Sequence, residues 1–120
     1  MSSSNIYFLQ NGSLSSKDEL LLDTGKPVFV MVQADWCGHC KTAKPIFQQF
    51  ADMASDSITF ATVNAGSDSN DSEKALVKRL GVRGFPSFLL YVGGKKVEIS
   101  IQQRTVDGFK KALAAVGVKV

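Results

Sequence analysis

Trp36-Cys37-Gly38-His39-Cys40 brings both cysteines, the only tryptophan and the only histidine of the chain into five consecutive residues. Two thiols separated by two residues can close into a small disulfide ring and reopen. The pair is therefore a two-electron redox centre or part of a metal site. A structural zinc site needs four ligands. Cys37, His39 and Cys40 are the whole supply of Cys and His, and adjacent His39 and Cys40 cannot easily reach one tetrahedral ion together with Cys37. Structural zinc is disfavoured on that ground, as is an iron–sulfur site shared between subunits, and no metal or other cofactor is expected. A purely structural disulfide is also a poor explanation, because so small a loop constrains the unfolded chain little in the chain-entropy model.

The elements that position this pentapeptide come from a chain of 120 residues, 44% of them hydrophobic. That is one domain, 1–120, with enough apolar material for a core without staples. The net charge is +3, and the lysines are scattered with no block of like charge, which argues against nucleic acid. The longest apolar runs, Val28 to Val32 and Phe88 to Val92, fall far short of the roughly 18 residues of a membrane span. The first residues lack the basic and apolar regions of a secretory signal. Lys17-Asp18-Glu19-Leu20 spells a retention tetrapeptide, but that address is read only at a C-terminus, and the chain ends Gly117-Val118-Lys119-Val120. A monomer is the expectation; the compartment stays open, with the cytoplasm as the default.

Ile6 to Leu9 reads as a short first strand. Ser16 with Glu19 three residues on reads as a capping box that opens a short helix to about Leu22. Val28 to Ala34 has no interior charge and reads as a strand buried on both faces. After the pentapeptide, Ala43, Ile46, Phe47, Phe50 and Met53 recur at helical spacing, which puts Cys37 at or just before a helix N-terminus. Pro45 falls inside that helix and should kink it without ending it. Ile58 to Val63 is a second core strand, and Asp71 or Ser72 caps a helix to about Leu80. Pro86 to Val92 and Val97 to Ile101 form a hairpin about Gly93-Gly94. Val106 to about Val116 closes the chain as a helix with Phe109, Leu113 and Val116 inward. The order predicts an α/β fold, a central mixed sheet of about five strands flanked by about four helices. Chemistry in such sheets sits beyond the carboxyl ends of central strands, where the cysteines lie.

A cysteine at a helix N-terminus faces unpaired backbone N–H groups and the positive end of the helix dipole, and both stabilise thiolate over thiol. Cys37 is thus the expected exposed nucleophile. Cys40, one turn further in and more buried, is the resolving thiol. His39 between them, if charged, stabilises the thiolate and makes the disulfide easier to reduce; the plain alternative is a solvated polar residue. Trp36 is either a core aromatic or a flat apolar edge for peptide substrates.

Trp-Cys-Gly-His-Cys-Lys, with Pro45 eight residues after Cys37, resembles the thioredoxin superfamily. Val82-Arg83-Gly84-Phe85-Pro86-Ser87 resembles its second signature. Gly38-His39 between the cysteines is similar to the catalytic domains of protein disulfide isomerases, as is Gln103-Arg104-Thr105-Val106-Asp107-Gly108-Phe109. The resemblance covers about residues 5 to 116. It implies a thioredoxin fold, a cis bond before Pro86, substrate pairing with the backbone at Phe85, and an Arg104 that swings toward the second cysteine and lowers its pKa. Read without the family, Phe85-Pro86 is an ordinary start of a strand and Arg104 a solvated surface residue. The chain departs from the family pattern at three positions. Met31 stands where a buried acid is usual and Thr62 where its lysine partner is usual, so no buried charge is left unpaired, but the customary proton acceptor for Cys40 is missing. Gln102 stands where a glycine is common. An isomerase is also expected to carry a signal, several domains and a retention tail.

The resulting expectation is a thiol–disulfide oxidoreductase of the isomerase or oxidase type. It would exchange disulfides with protein or peptide substrates, with glutathione or a reductase as the external electron partner. The alternatives are a cytosolic thioredoxin-like reductase and a redox-sensing binding module.

Overall fold

The computed structural model describes residues 5–120. Its strands are β1 (Ile6–Phe8), β2 (Val28–Gln33), β3 (Thr59–Asn64), β4 (Ser87–Val92) and β5 (Lys95–Val97), and its helices are α1 (Gly38–Ala54), α2 (Asp71–Leu80) and α3 (Val106–Ala114). The sheet order is β1-β3-β2-β4-β5. β3 runs parallel to β1 and β2, while β4 runs antiparallel to β2 and to β5. This is the expected mixed sheet, with three α-helices and one short 3-10 turn at Asn11–Ser13.

β2 is buried at all six positions, because the sheet is covered on both sides. Phe29 and Met31 face α1 and α3, and Val28, Val30 and Val32 face α2. Phe29 lies within 5.3–6.2 Å, centroid to centroid, of Phe47, Phe50, Phe60, Phe88 and Phe109. Three of the five pairs are edge-to-face, the arrangement the ring quadrupoles favour. This cluster fixes α1 over the strand that precedes the cysteines. Pro45 sits inside α1 without ending it, and Ala43, Phe47, Phe50, Ala51 and Ala54 keep the buried face continuous.

Several expected details are corrected. Ser16 to Leu22 is not a helix. Ser15 accepts hydrogen bonds from the backbone of Lys17 and Glu19, Asp18 adopts a positive φ of 61°, and Leu14 bridges Leu20 in antiparallel fashion. The Arg79 guanidinium clamps this segment through the carbonyls of Asn11 and Ser15 and the carboxylate of Asp18. A long-range ion has overridden a local capping pattern. The cap of α2 is Asn70, in a capping box with Glu73, so Asp71 and Ser72 lie inside the helix. Met53 points outward and Ala54 inward. Val116 lies beyond the end of α3, and Val118 fills the core in its place. The return strand is short, ending at Val97, although Ile99 and Ile101 still pack on the core. Gly93 and Gly94 both have positive φ, as the tight hairpin requires.

Met31 and Thr62 are register partners on β2 and β3, both fully buried. The Thr62 hydroxyl donates to the Met31 carbonyl at 2.7 Å. The position takes no charge without a partner. Met31→Asp is expected to lower stability by about 3–5 kcal/mol, and Thr62→Lys added to it should restore a measurable part. Urea unfolding of the two single variants and the double variant measures the coupling; strictly additive losses would show that the two positions do not interact.

Candidate active site

β2 ends at Gln33, and the chain turns over Ala34 and Asp35 into α1. The Cys37 N–H donates to the Ala34 carbonyl at 3.2 Å. Cys37 has extended backbone angles and is the N-cap of α1. Its Sγ accepts a hydrogen bond from the Cys40 N–H at 3.1 Å. A sulfur thus fills the role that Ser, Thr, Asp or Asn usually fills. Both cysteines are free thiols, and Cys37 Sγ also donates to the Phe85 carbonyl at 3.4 Å.

Cys37 is more covered than expected, 6% exposed against 0% for Cys40, so it presents only an edge of its sulfur. Burial alone would push the Cys37 thiol up. The hydrogen bond from the Cys40 thiol, the backbone N–H groups of Cys40 and His39, and the charge of Arg104 outweigh it, and the net shift is downward. Cys40 goes the other way, pushed up to about 11 by burial first and then by the hydrogen bond and charge of Cys37. The two thiols are thereby differentiated, one toward thiolate and one toward thiol.

The remaining expected site residues gather around this pair. The Phe85–Pro86 peptide is cis, Pro86 is buried, and Phe85 packs on the cluster of Ala34, Cys37 and Cys40. Trp36 is 64% exposed, which excludes the core alternative, and it meets Phe85 edge-to-face at 5.6 Å and 85°. Gly38 and His39 are exposed on the first turn of α1. Arg104 is exposed just before Thr105, the N-cap of α3. Its charge acts on Cys37, whereas the cation acting on Cys40 is Lys44. A Cβ on Gly108 would collide with the Gln103 carbonyl, so this glycine lets α3 approach the segment that carries Arg104. Gln102 is exposed and bonds Ser100. No cluster of metal-ligating side chains occurs among the described residues.

Two features escaped the sequence reading. Asp35 accepts from the N–H and the hydroxyl of Ser67 at 2.9 and 2.8 Å, and these bonds hold its carboxyl below the usual range. A Cβ on Gly66 would strike Asp35. The loop after β3 is therefore pinned to the residue beside Trp36. Nothing in the spacing of Asp35 and Ser67 announces this contact. The second feature is Gln33, 7% exposed. Its amide nitrogen reaches the Thr62 hydroxyl at 3.4 Å, and its amide oxygen is buried without a donor. Flipping the amide does not help, because the Thr62 proton is already given to Met31. A buried orphan of this kind costs about 1–3 kcal/mol. Its signal was available: a polar residue at the end of an otherwise apolar strand.

The family model described as Thioredoxin matches residues 10–115. Protein disulfide-isomerase erp38 of Neurospora crassa is 36% identical over 110 residues, which are 88% of this chain and 28% of that protein. The thioredoxin of Alicyclobacillus acidocaldarius is 30% identical over 91 residues, 76% of this chain and 82% of that protein. Among solved structures, the J-Trx1 fragment of ERdj5 superposes with a TM-score of 0.66 over 97% of this chain and 51% of its own, at 21% identity, a likeness of fold. The chain spans only about a quarter of the isomerase it matches. With its sheet order, its paired thiols at a helix N-terminus and these matches, the chain belongs to the thioredoxin family.

Proposed function

We propose that this chain is a thiol–disulfide oxidoreductase of the disulfide-isomerase or oxidase type, acting on protein or peptide substrates. The observation that carries the proposal is the placement of two free thiols one helical turn apart at the start of α1, with Cys37 Sγ capping the helix on the Cys40 N–H at 3.1 Å; this setting favours thiolate at Cys37, and burial pushes Cys40 up. The Gly38-His39 spacer and the similarity to proteins named protein disulfide-isomerase support the finer reading.

Cys37 thiolate attacks one sulfur of a substrate disulfide. A Cys37–substrate bond forms, the substrate S–S bond breaks, and the leaving sulfur departs as thiolate and takes a proton. Cys40 then gives up its proton and attacks Cys37. The Cys37–Cys40 bond forms, the second substrate sulfur leaves, and two electrons have passed from the protein to the substrate. Run in reverse, the same steps oxidise a substrate dithiol. When Cys37 ionises, its hydrogen bond to Phe85 ends, and that carbonyl becomes free to accept from an extended substrate backbone. Pro86 shapes that edge, and Trp36 with Phe85 forms its apolar wall. Arg104 supplies positive charge that favours the reduced form, and His39 adds its backbone N–H to the groups that stabilise the Cys37 thiolate. Cys40 has no carboxylate partner at Met31, so its proton passes to the departing substrate thiolate or to water.

Cys40→Ala should trap substrates as mixed disulfides on Cys37. Titration of the wild-type pair against glutathione should give a potential near the isomerase value of about −180 mV. A value near about −270 mV would move the chain to the reductase reading, and no trapped substrate together with redox-dependent partner affinity would make it a sensor.

Alkylation with iodoacetamide should modify Cys37 alone at neutral pH, with a rate that rises through a midpoint below the ordinary thiol value and then levels. Peptide mapping checks the site, and modification of Cys40 first would sink the assignment.

Because the Cys37 sulfur is also a helix cap, the two roles separate by substitution. Cys37→Ser keeps a capping atom and should abolish exchange with little loss of stability. Cys37→Ala should abolish exchange and cost about 0.5–2 kcal/mol as well. Equal urea midpoints for the two variants would show that the sulfur caps nothing.

A further inference from the structure

The cations around the thiols are more than a single thiolate uses. Lys41 and Lys44 lie on the first turns of α1, and Lys41 is exposed. Arg83 is exposed two residues before Phe85, whose carbonyl is 3.4 Å from Cys37 Sγ. Arg104 is exposed on a third segment, and its charge reaches Cys37. α1 carries no acid before Asp52. The carboxylates on the adjoining loops keep their charge, but their oxygens are directed to neighbours within the fold. Asp35 is held by Ser67, and Asp68 accepts from the Asn64 amide at 2.6 Å. Asp107 lies in the first turn of α3, against that helix's own positive end. Exposed Trp36 and half-buried Phe85 therefore form an apolar ledge, and the three segments that adjoin Cys37 each carry an exposed cation, Lys41, Arg83 or Arg104.

Resting on the dithiol reading above, we propose that the partner fitting this surface is a cysteine-bearing peptide segment with carboxylate side chains flanking the cysteine. The apolar part of the segment lies on the Trp36–Phe85 ledge, and its carboxylates face Arg83, Arg104 and Lys41. Charges this exposed act mainly on the rate of encounter. They raise it by about 10- to 1,000-fold at low salt, and the effect falls as ionic strength rises.

The test uses the Cys40→Ala protein and three peptide disulfides that share one chromophoric thiol and differ only in the residues beside cysteine, Glu, Gln or Lys. Cys37 thiolate attacks the peptide sulfur, the protein–peptide bond forms, and the chromophoric thiolate is released and counted. The Glu peptide should react about 10-fold or more faster than the Lys peptide at low salt, with the Gln peptide between them. The gap should close in about 0.5 M salt, where the screening length is only a few ångströms. Arg83→Gln combined with Lys41→Gln should narrow the Glu-to-Lys ratio. Equal rates, a faster Lys peptide or a ratio indifferent to salt would overturn the inference while leaving the dithiol reading intact. Glutathione disulfide outrunning the Glu peptide at equal concentration would also overturn it, in favour of a small-thiol site. If none of the three peptides reacts, the dithiol reading fails and takes this inference with it.

Discussion

One hydrogen bond organises the site, the 3.1 Å contact from the Cys40 N–H to the Cys37 sulfur. It starts α1, and it is one of the contacts that make the sulfur acidic. A neutral sulfur is a weak acceptor, whereas a thiolate is an ionised one, and hydrogen bonds to ionised acceptors are stronger. Helix capping and nucleophile activation are therefore the same interaction. Its geometry is set from outside the site. β2, the central strand, delivers Cys37 to its carboxyl end, and the ring cluster about Phe29 holds α1 at a fixed place above that strand.

The two thiols contribute oppositely to stability as pH changes. Cys37 has its folded pKa lowered, so the folded state binds fewer protons there than the unfolded chain. Its contribution is present above the unfolded thiol value and fades as pH falls through the lowered one. Cys40 has its folded pKa raised to about 11, so its contribution is whole below the unfolded value and is lost as pH rises toward 11. The second effect follows from burial beneath the helix start. Met31, Thr62 and Gln33 line the same side of the sheet with no ionisable group. A carboxylate there, as the family pattern would have it, would need a partner to stay charged in the core. This chain carries neither member of such a pair and has a neutral hydroxyl–amide contact with one orphaned oxygen.

Local features carried the legible part of the site. The run from Val28, the thiol pair and the period from Ala43 to Phe50 are each short-range, and together they place Cys37 at a helix N-terminus beyond a central strand. Phe85-Pro86 and Arg104 came through resemblance, and the fold brings both to the thiols. Features set by distant residues were not legible. The Ser16–Glu19 pattern loses to Arg79, some sixty positions away in the chain. Asp35 finds Ser67 only because β2 and β3 end side by side, in register at Gln33 and Asn64. Whether Trp36 was core or rim depended on Phe85, on the far side of the sequence. Capping preferences place a helix start to within a residue or two, and Asn70 in place of Asp71 is an error of that size.

The charge placement of the three helices shows what α1 gives up. α2 opens with Asp71 and Glu73 and α3 with Asp107, while α1 has no acid in its first turn. An acid there would stabilise the helix by about 0.3–1 kcal/mol through the macrodipole. It would also stand within a few ångströms of Cys37 and raise the thiol's pKa by like-charge repulsion. The lysines that follow are unfavourable to the helix for the same reason that they are favourable to a thiolate. α1 is long, and its aromatic packing does not depend on its first turn, so the helix survives the loss. The positive end of the dipole is left to the sulfur, and the stability that α1 forgoes at its start appears instead as ionisation of Cys37.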